Sequence, residues 1–240
     1  MIPPFNTHPL VRQYNDIKKY FRKYETDLSR ERIHEFREYA RLIDLANMHV
    51  AFDITGSLNF GMTVDQSDVD VVLYVHCDDH GLTECTRDNC GKFRDIETQI
   101  LQTLIRAYAA RRHDLQIIDC VNLTLLGHEL DRGNAEADIV LRFAFYRSIC
   151  RSINAALLRP YHLKLQNNSQ LVEDLKPHLF AVFDGLCNSS QHRLSMRKYQ
   201  ERLRAMDVAI PDSILTQIRN HLDDFADYDR NEEVLGRLHE

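Results

Sequence analysis

No apolar stretch in the sequence approaches the ~20 residues that span a bilayer. The opening residues, MetIleProProPheAsnThrHis, lack the charged start and apolar run of a secretion signal. The expectation from these two absences is a cytoplasmic chain without a membrane partner. Gly-x-Gly-x-x-Gly, P-loop and His-Glu-x-x-His patterns are also missing, and the scattered histidines form no Ser-His-Asp arrangement. Those absences argue against dinucleotide-binding, P-loop, zinc-protease and triad-hydrolase chemistry. A dense cysteine framework is lacking too, so the six cysteines read as reduced thiols. The net charge of −6 provides no general field toward nucleic acid, so such contacts must come from local patches. No repeat, low-complexity tract or linker interrupts the chain.

The composition, 44% hydrophobic and 28% charged, is that of a soluble globular protein, and 240 residues can bury a substantial core in one elaborate domain or two small ones. The chain is organised around residues 50 to 75. ValAlaPheAspIle reads as a short buried strand. Gly56-Ser57 then forms a turn that can open a helix, where free N–H groups favour phosphate and glycine permits close backbone approach. Ten residues later Asp68-Val69-Asp70 runs into ValValLeuTyrVal. Side chains two apart on a strand share a face, so the two carboxylates project together and raise each other's pKa. A cation between them relieves that repulsion, and an all-oxygen donor set beside phosphate suits Mg²⁺ or Mn²⁺. An acid pair on a solvated strand edge is the simpler alternative, and the preceding strand and Gly-Ser turn weigh against it.

The stretch ThrGlySerLeuAsnPheGlyMetThrValAspGlnSerAspValAspValValLeu resembles the core of the polymerase-β-like nucleotidyltransferase superfamily. It is most similar to the terminal nucleotidyltransferase and poly(A) polymerase branch, where Gly-Ser, a second glycine (Gly61) and Ser-Asp-x-Asp (Ser67, Asp68, Asp70) recur. The resemblance implies an NTP substrate, ATP first among them, with Gly56 and Ser57 at its phosphates and Asp68 and Asp70 on Mg²⁺. It also implies a third acid on a strand neighbouring the Asp-x-Asp strand. Ala137-Asp138-Ile139-Val140 has the form expected of it, which makes Asp138 the first choice as third catalytic and metal-binding carboxylate. Asp119, in IleIleAspCysVal, is the alternative. Acceptors open to such an enzyme are an RNA 3′ end, a small molecule or a protein hydroxyl. An inactive nucleotide- or RNA-binding relative is the other class that remains open.

Elsewhere, helical spacing marks residues 9 to 46 as two helices and Phe93 to Ala110 as a third. Residues 115–121, 122–126 and 137–143 read as strands, and the rest as helices, with breaks near Pro160, Pro177 and Gly185. Two basic clusters, Lys18/Lys19/Arg22/Lys23 and Arg193/Arg197/Lys198/Arg202/Arg204 with Tyr199, could meet phosphate or strand, or form solvated faces. For the second, the solvated reading is ion pairing with the acidic tail at 223–233.

Between the two comes a polar loop in which Cys77, His80, Cys85 and Cys90 have the spacing C-x2-H-x4-C-x4-C. Four nitrogen and sulfur donors in one loop suit a structural Zn²⁺. The spacing resembles a zinc knuckle with its middle two ligands exchanged, and a surface loop of free thiols is the alternative. The fold expected is α/β (α+β), a small mixed twisted sheet with flanking helices and a helical C-terminal region forming a cleft. Residues 1–145 would form the catalytic core and 146–240 the helical region.

Overall fold

Two strands whose apolar side chains serve both faces, Val50–Ile54 (β1) and Val69–Val75 (β2), form the middle of the sheet in the computed structural model. The structure describes residues 5, 8–45, 49–79, 81–107 and 115–222. Leu115–Asn122 (β3) pairs parallel with β2, and Arg151–Ile153 (β4) pairs antiparallel with β1, which is itself antiparallel to β2. The order is β3-β2-β1-β4, a four-stranded mixed sheet. The β2–β3 register shifts at Val71/Val72, so that Gln116 lies opposite Asp70 and Asp119, not Ile118, lies opposite Val72. This is a bulge, one residue more on β3 than on β2.

Ten helices flank the sheet among the described residues: Pro9–Phe21 (α1), Asp27–Leu45 (α2), Gly56–Phe60 (α3), Gly91–Ala107 (α4), Leu123–Asp131 (α5), Asp138–Ile149 (α6), Ala155–Asn167 (α7), Ser169–Asn188 (α8), Ser190–Ala205 (α9) and Asp212–His221 (α10). On one face Val50, Phe52, Ile54, Val71, Leu73 and Val75 pack with Ile33 and Phe36 of α2 and Phe93, Ile96 and Ile100 of α4. On the other, Ala51, Val72, Tyr74 and Val121 pack with side chains from α1 and the helices after β3. The result is an α+β fold with the sheet between two helical layers. No described helix is long and apolar enough to cross a membrane.

Several sequence expectations are corrected. Residues 123–126 and 138–143 lie in α5 and α6, not in strands, with Asn122 ending β3 and Ala137 preceding α6. Short apolar runs fit either period, and here the caps decide. The Asn122 side chain accepts the Thr124 N–H, and Asp138 stands in the first turn of α6, where negative charge favours a helix. Ile139, Val140, Phe143 and Ala144 then form one buried stripe. Pro160 and Pro177 lie inside α7 and α8, and Gly185 inside α8. The missing proline N–H is outweighed in α8 by Leu171, Leu175, Leu179, Phe183 and Cys187, a fully buried stripe at every fourth position. The boundary expected at 145/146 falls within α6, and residues 151–153 return to the sheet.

A buried polar junction holds α6 to the sheet. Asp53 of β1, fully buried, accepts the Tyr74 hydroxyl at 2.7 Å and Arg147 Nη1 at 2.8 Å, and the Ser152 hydroxyl donates to it as well. Three strands and one helix thereby meet at one satisfied carboxylate. At the end of α6 the Ile149 carbonyl accepts the Lys18 amine and Asn59 Nδ2, joining α1 and α3 to the same helix. Phe183→Ala should lower unfolding stability by about 3–5 kcal/mol, because a large side chain is removed from a closed layer; urea or guanidinium titration measures it.

Candidate functional site

The turn after β1 and the start of β2 are built against each other. Thr55 donates its N–H to the Asp70 carbonyl at 3.0 Å, extending the β1–β2 ladder by one step, and the chain then turns sharply at Gly56, with φ +58°. A Cβ on Gly56 would lie 2.7 Å from Asp70 Oδ2, so the carboxylate rests directly against the glycine. Only glycine allows that approach and that φ. The helix α3 closes after one turn at Gly61, in the left-handed conformation, packed on Glu25.

The connection from α3 to β2 is pinned by α2 and the residue before it. Thr26 donates its hydroxyl to the Thr63 carbonyl at 2.9 Å, and Thr63 donates its N–H to Ser29 at 3.0 Å. Buried Arg32 donates to the Ser67 carbonyl at 2.9 Å. The Ser67 hydroxyl accepts the Val64 N–H at 3.0 Å, closing the turn that delivers Asp68. Asp68 itself is exposed, at the entrance to β2, and Asp70 is half-buried. Burial first, and the charge of Asp68 second, raise the Asp70 pKa above the usual carboxylate range.

Asp70 and Gly56 border a cavity of about 440 Å³ between the sheet and the C-terminal helices. Its walls are Tyr14 of α1, Phe60 of α3, Phe145 and Tyr146 of α6, and Ser189 with His192, Ser195 and Tyr199 of α9. This size and mixture of aromatic and polar groups suit a small organic ligand. A second depression, about 550 Å³ along α4, contains none of the motif residues. Burial holds His192 neutral, its pKa lowered to about 3 with help from His221, and burial lowers His221 to about 4; their Nε2 atoms are 3.0 Å apart.

Asp138, the first choice for a third acid, is not on a strand. It begins α6, and its side chain is 75% exposed. Asp119 is the acid on the neighbouring strand, on the sheet face covered by α6. Arg142 binds both, Asp119 at 2.5 Å and Asp138 at 2.7 Å, and also Glu84 at 2.7 Å. Asp119 further accepts its neighbour's N–H, from Cys120, at 2.8 Å. Among the described residues Asp68 and Asp70 form no group of three closely spaced candidate ligands with Asp119 or Asp138. One such group is present among the described residues, and it is Cys77, Cys85 and Cys90. These thiols are buried although most of the loop residues between them are exposed; His80, the other expected ligand, lies outside the described residues.

The basic clusters are largely engaged. Lys18 is buried, Arg22 donates to the Asn59 carbonyl at 2.8 Å, and Arg202 donates to the Met62 carbonyl beside Tyr199. The acidic tail expected to face α9 lies outside the described residues. The sequence reading named Tyr199 with the basic cluster but missed Tyr146, His192 and Ser195, because nothing local marks helical residues that meet only when α6 and α9 pack together. Comparison with protein-family models, with curated proteins and with solved structures finds no match.

Two outcomes follow from this geometry. Gly56→Ala should cost about 1–3 kcal/mol through backbone strain and displace the Asp70 carboxylate, read as a lower unfolding midpoint. For the histidines, folded pKa values below the ordinary 6.5 mean full stability above that pH, lost as pH falls toward 4. Each adds a slope of up to about 1.4 kcal/mol per pH unit. His221→Gln should flatten the fall in melting temperature between pH 6.5 and 4.5.

Proposed function

We propose that this protein is a metal-dependent nucleotidyltransferase that moves an NMP from an NTP, ATP first among them, to an acceptor hydroxyl and releases pyrophosphate. The observation that carries this reading is the contact of Gly56 with the Asp70 carboxylate at the edge of an aromatic-lined cavity. It sets a close-approach turn beside an acid that burial and Asp68 make costly to ionise. A donor set of two neighbouring carboxylates fits Mg²⁺ or Mn²⁺, since the cation relieves both their repulsion and the cost of burial.

In this reading the Ser57 hydroxyl and the unpaired N–H groups of the turn hold the terminal phosphates, and Asp68 and Asp70 hold the metal. When bound, the metal neutralises charge on the transferring phosphate and leaving group. Tyr146, His192 and Tyr199 face the nucleoside and keep water from it. The third carboxylate is Asp119, on β3 and on the cleft face, in preference to exposed Asp138; it orients the acceptor hydroxyl once Arg142 shares its charge. Acceptors consistent with the site are an RNA 3′ end, a small molecule or a protein hydroxyl, in a cytoplasmic setting.

The grip of Arg142 on both candidate third acids favours a second reading, a relative that binds nucleotide or RNA without turnover. Labelled-NTP incorporation with Mg²⁺ into RNA primers, tRNA and cell extract separates the two. Asp68→Ala with Asp70→Ala should abolish incorporation while leaving the fold intact, and wild-type rates in the double variant would refute the proposal. Asp119→Asn should lose at least about tenfold in kcat, whereas Asp138→Asn should stay within about twofold.

The raised Asp70 pKa gives a separate outcome. A carboxylate whose folded pKa exceeds its unfolded value favours the fold at low pH and withdraws that support as pH rises through the folded value. Asp70→Asn should therefore melt no lower than wild type at pH 7.5. Adding Mg²⁺ with ATP should raise the wild-type melting temperature and leave the variant unchanged.

A further inference from the structure

Four of the six cysteines come together although they span residues 77 to 120. Cys77 follows β2, Cys85 and Cys90 belong to the loop before α4, and Cys120 is on β3 with its side chain in the same core layer. The Sγ atoms of Cys77, Cys85 and Cys90 all lie within 4.8 Å of one another. Cys120 is the next thiol, outside that group of three, and it interacts with the Cys85 thiol. Cys77 Sγ and Cys90 Sγ are 3.8 Å apart. That separation is too long for a disulfide bond and equals the ~3.8 Å edge of a tetrahedron built on Zn–S bonds of ~2.3 Å.

Backbone N–H groups also point at these sulfurs. Phe93 donates to Cys90 Sγ at 3.3 Å, and the Asp79 backbone hydrogen-bonds to Cys77. Donors of this kind stabilise a thiolate that ligates a metal and orient it. The loop they hold is otherwise fastened at its polar residues. Asn122 Nδ2 donates to the Thr83 carbonyl at 3.1 Å, Thr124 to Asp78 at 2.9 Å, and Glu84 pairs with Arg142.

We propose that Cys77, Cys85, Cys90 and Cys120 form a structural zinc site in which Cys120, not His80, supplies the fourth ligand. Zn²⁺ displaces the four thiol protons, which leave to solvent, and no electron is transferred. Four thiolates from a strand end, a loop and a neighbouring strand clamp the loop to β2 and β3. Because Glu84 lies in that loop, the same clamp places it on Arg142.

The test uses the full chain purified under reducing conditions without chelator. Metal analysis should find about one zinc per chain. After chelator treatment, Co²⁺ should produce the near-ultraviolet thiolate charge-transfer band and the visible bands of a tetrahedral four-thiolate site. Cys120→Ser should lower the charge-transfer intensity by about a quarter and weaken zinc affinity roughly tenfold or more in dye competition. His80→Ala should change neither. Any of the following overturns the proposal: no zinc and no cobalt spectrum, iron in place of zinc, a disulfide among these cysteines found by alkylation and mass spectrometry, or loss of affinity in His80→Ala with none in Cys120→Ser. Should Cys120→Ser fail to fold, the wild-type cobalt spectrum decides, four-thiolate intensity supporting the assignment and three-thiolate intensity refuting it.

Discussion

The architecture depends on one carboxylate taken fully out of water. Asp53 is held by an arginine from α6 and by hydroxyls from β2 and β4, so its burial is possible only when those four elements are already in place. Such a pair adds little net stability over an apolar substitute. Losing one partner, however, strands a charge in the core at a cost of about 3–5 kcal/mol. The junction therefore selects one arrangement of α6 over the sheet. The side chains that α6 gives to the cavity, Phe145 and Tyr146 among them, inherit their positions from that arrangement.

Much of this was legible from local pattern. β1, β2, the Gly56 turn and the α4 stripe follow from alternation, glycine placement and helical spacing, each decided within a few residues. Residues 123–126 and 138–143 were misread because apolar runs of that length suit a strand or a buried helix equally. The cap Asn122 and the first-turn acid Asp138 were the available signals. That misreading carried the third acid with it, since Asp138 was chosen for a strand that does not form. That the C-terminal helices wall a cleft was legible, but most of the residues they bring to it were not. His192 and Tyr199 reach Asp70 only through the packing of α9 on α1 and α3, which no spacing within the chain encodes.

Arg142 connects regions that would otherwise be independent. Its guanidinium binds an acid from the cysteine loop, one from β3 and one from its own helix. Asp70 shows the complementary arrangement, an acid with a raised pKa and no ion-pair partner among the described residues. One acid group is thus already neutralised and the other is short of positive charge. That difference is why the proposed reading assigns the divalent ion to Asp68 and Asp70 and not to the acids on Arg142.

The bulge in β3 has a consequence for how the chain tolerates changes in length. Ile118, about half exposed, is the extra residue opposite no partner on β2, and it keeps Asp119 facing α6 while Cys120 faces α4. Shedding Ile118 would leave a straight ladder with both side chains on their own faces. An added residue that keeps the bulge would exchange them, carrying the carboxylate into the layer of thiols and a thiol toward the cleft, whereas one that straightens the strand would restore both faces and slide the later pairing by two positions. A change of length here is therefore met by the bulge, which can be removed without turning either side chain over.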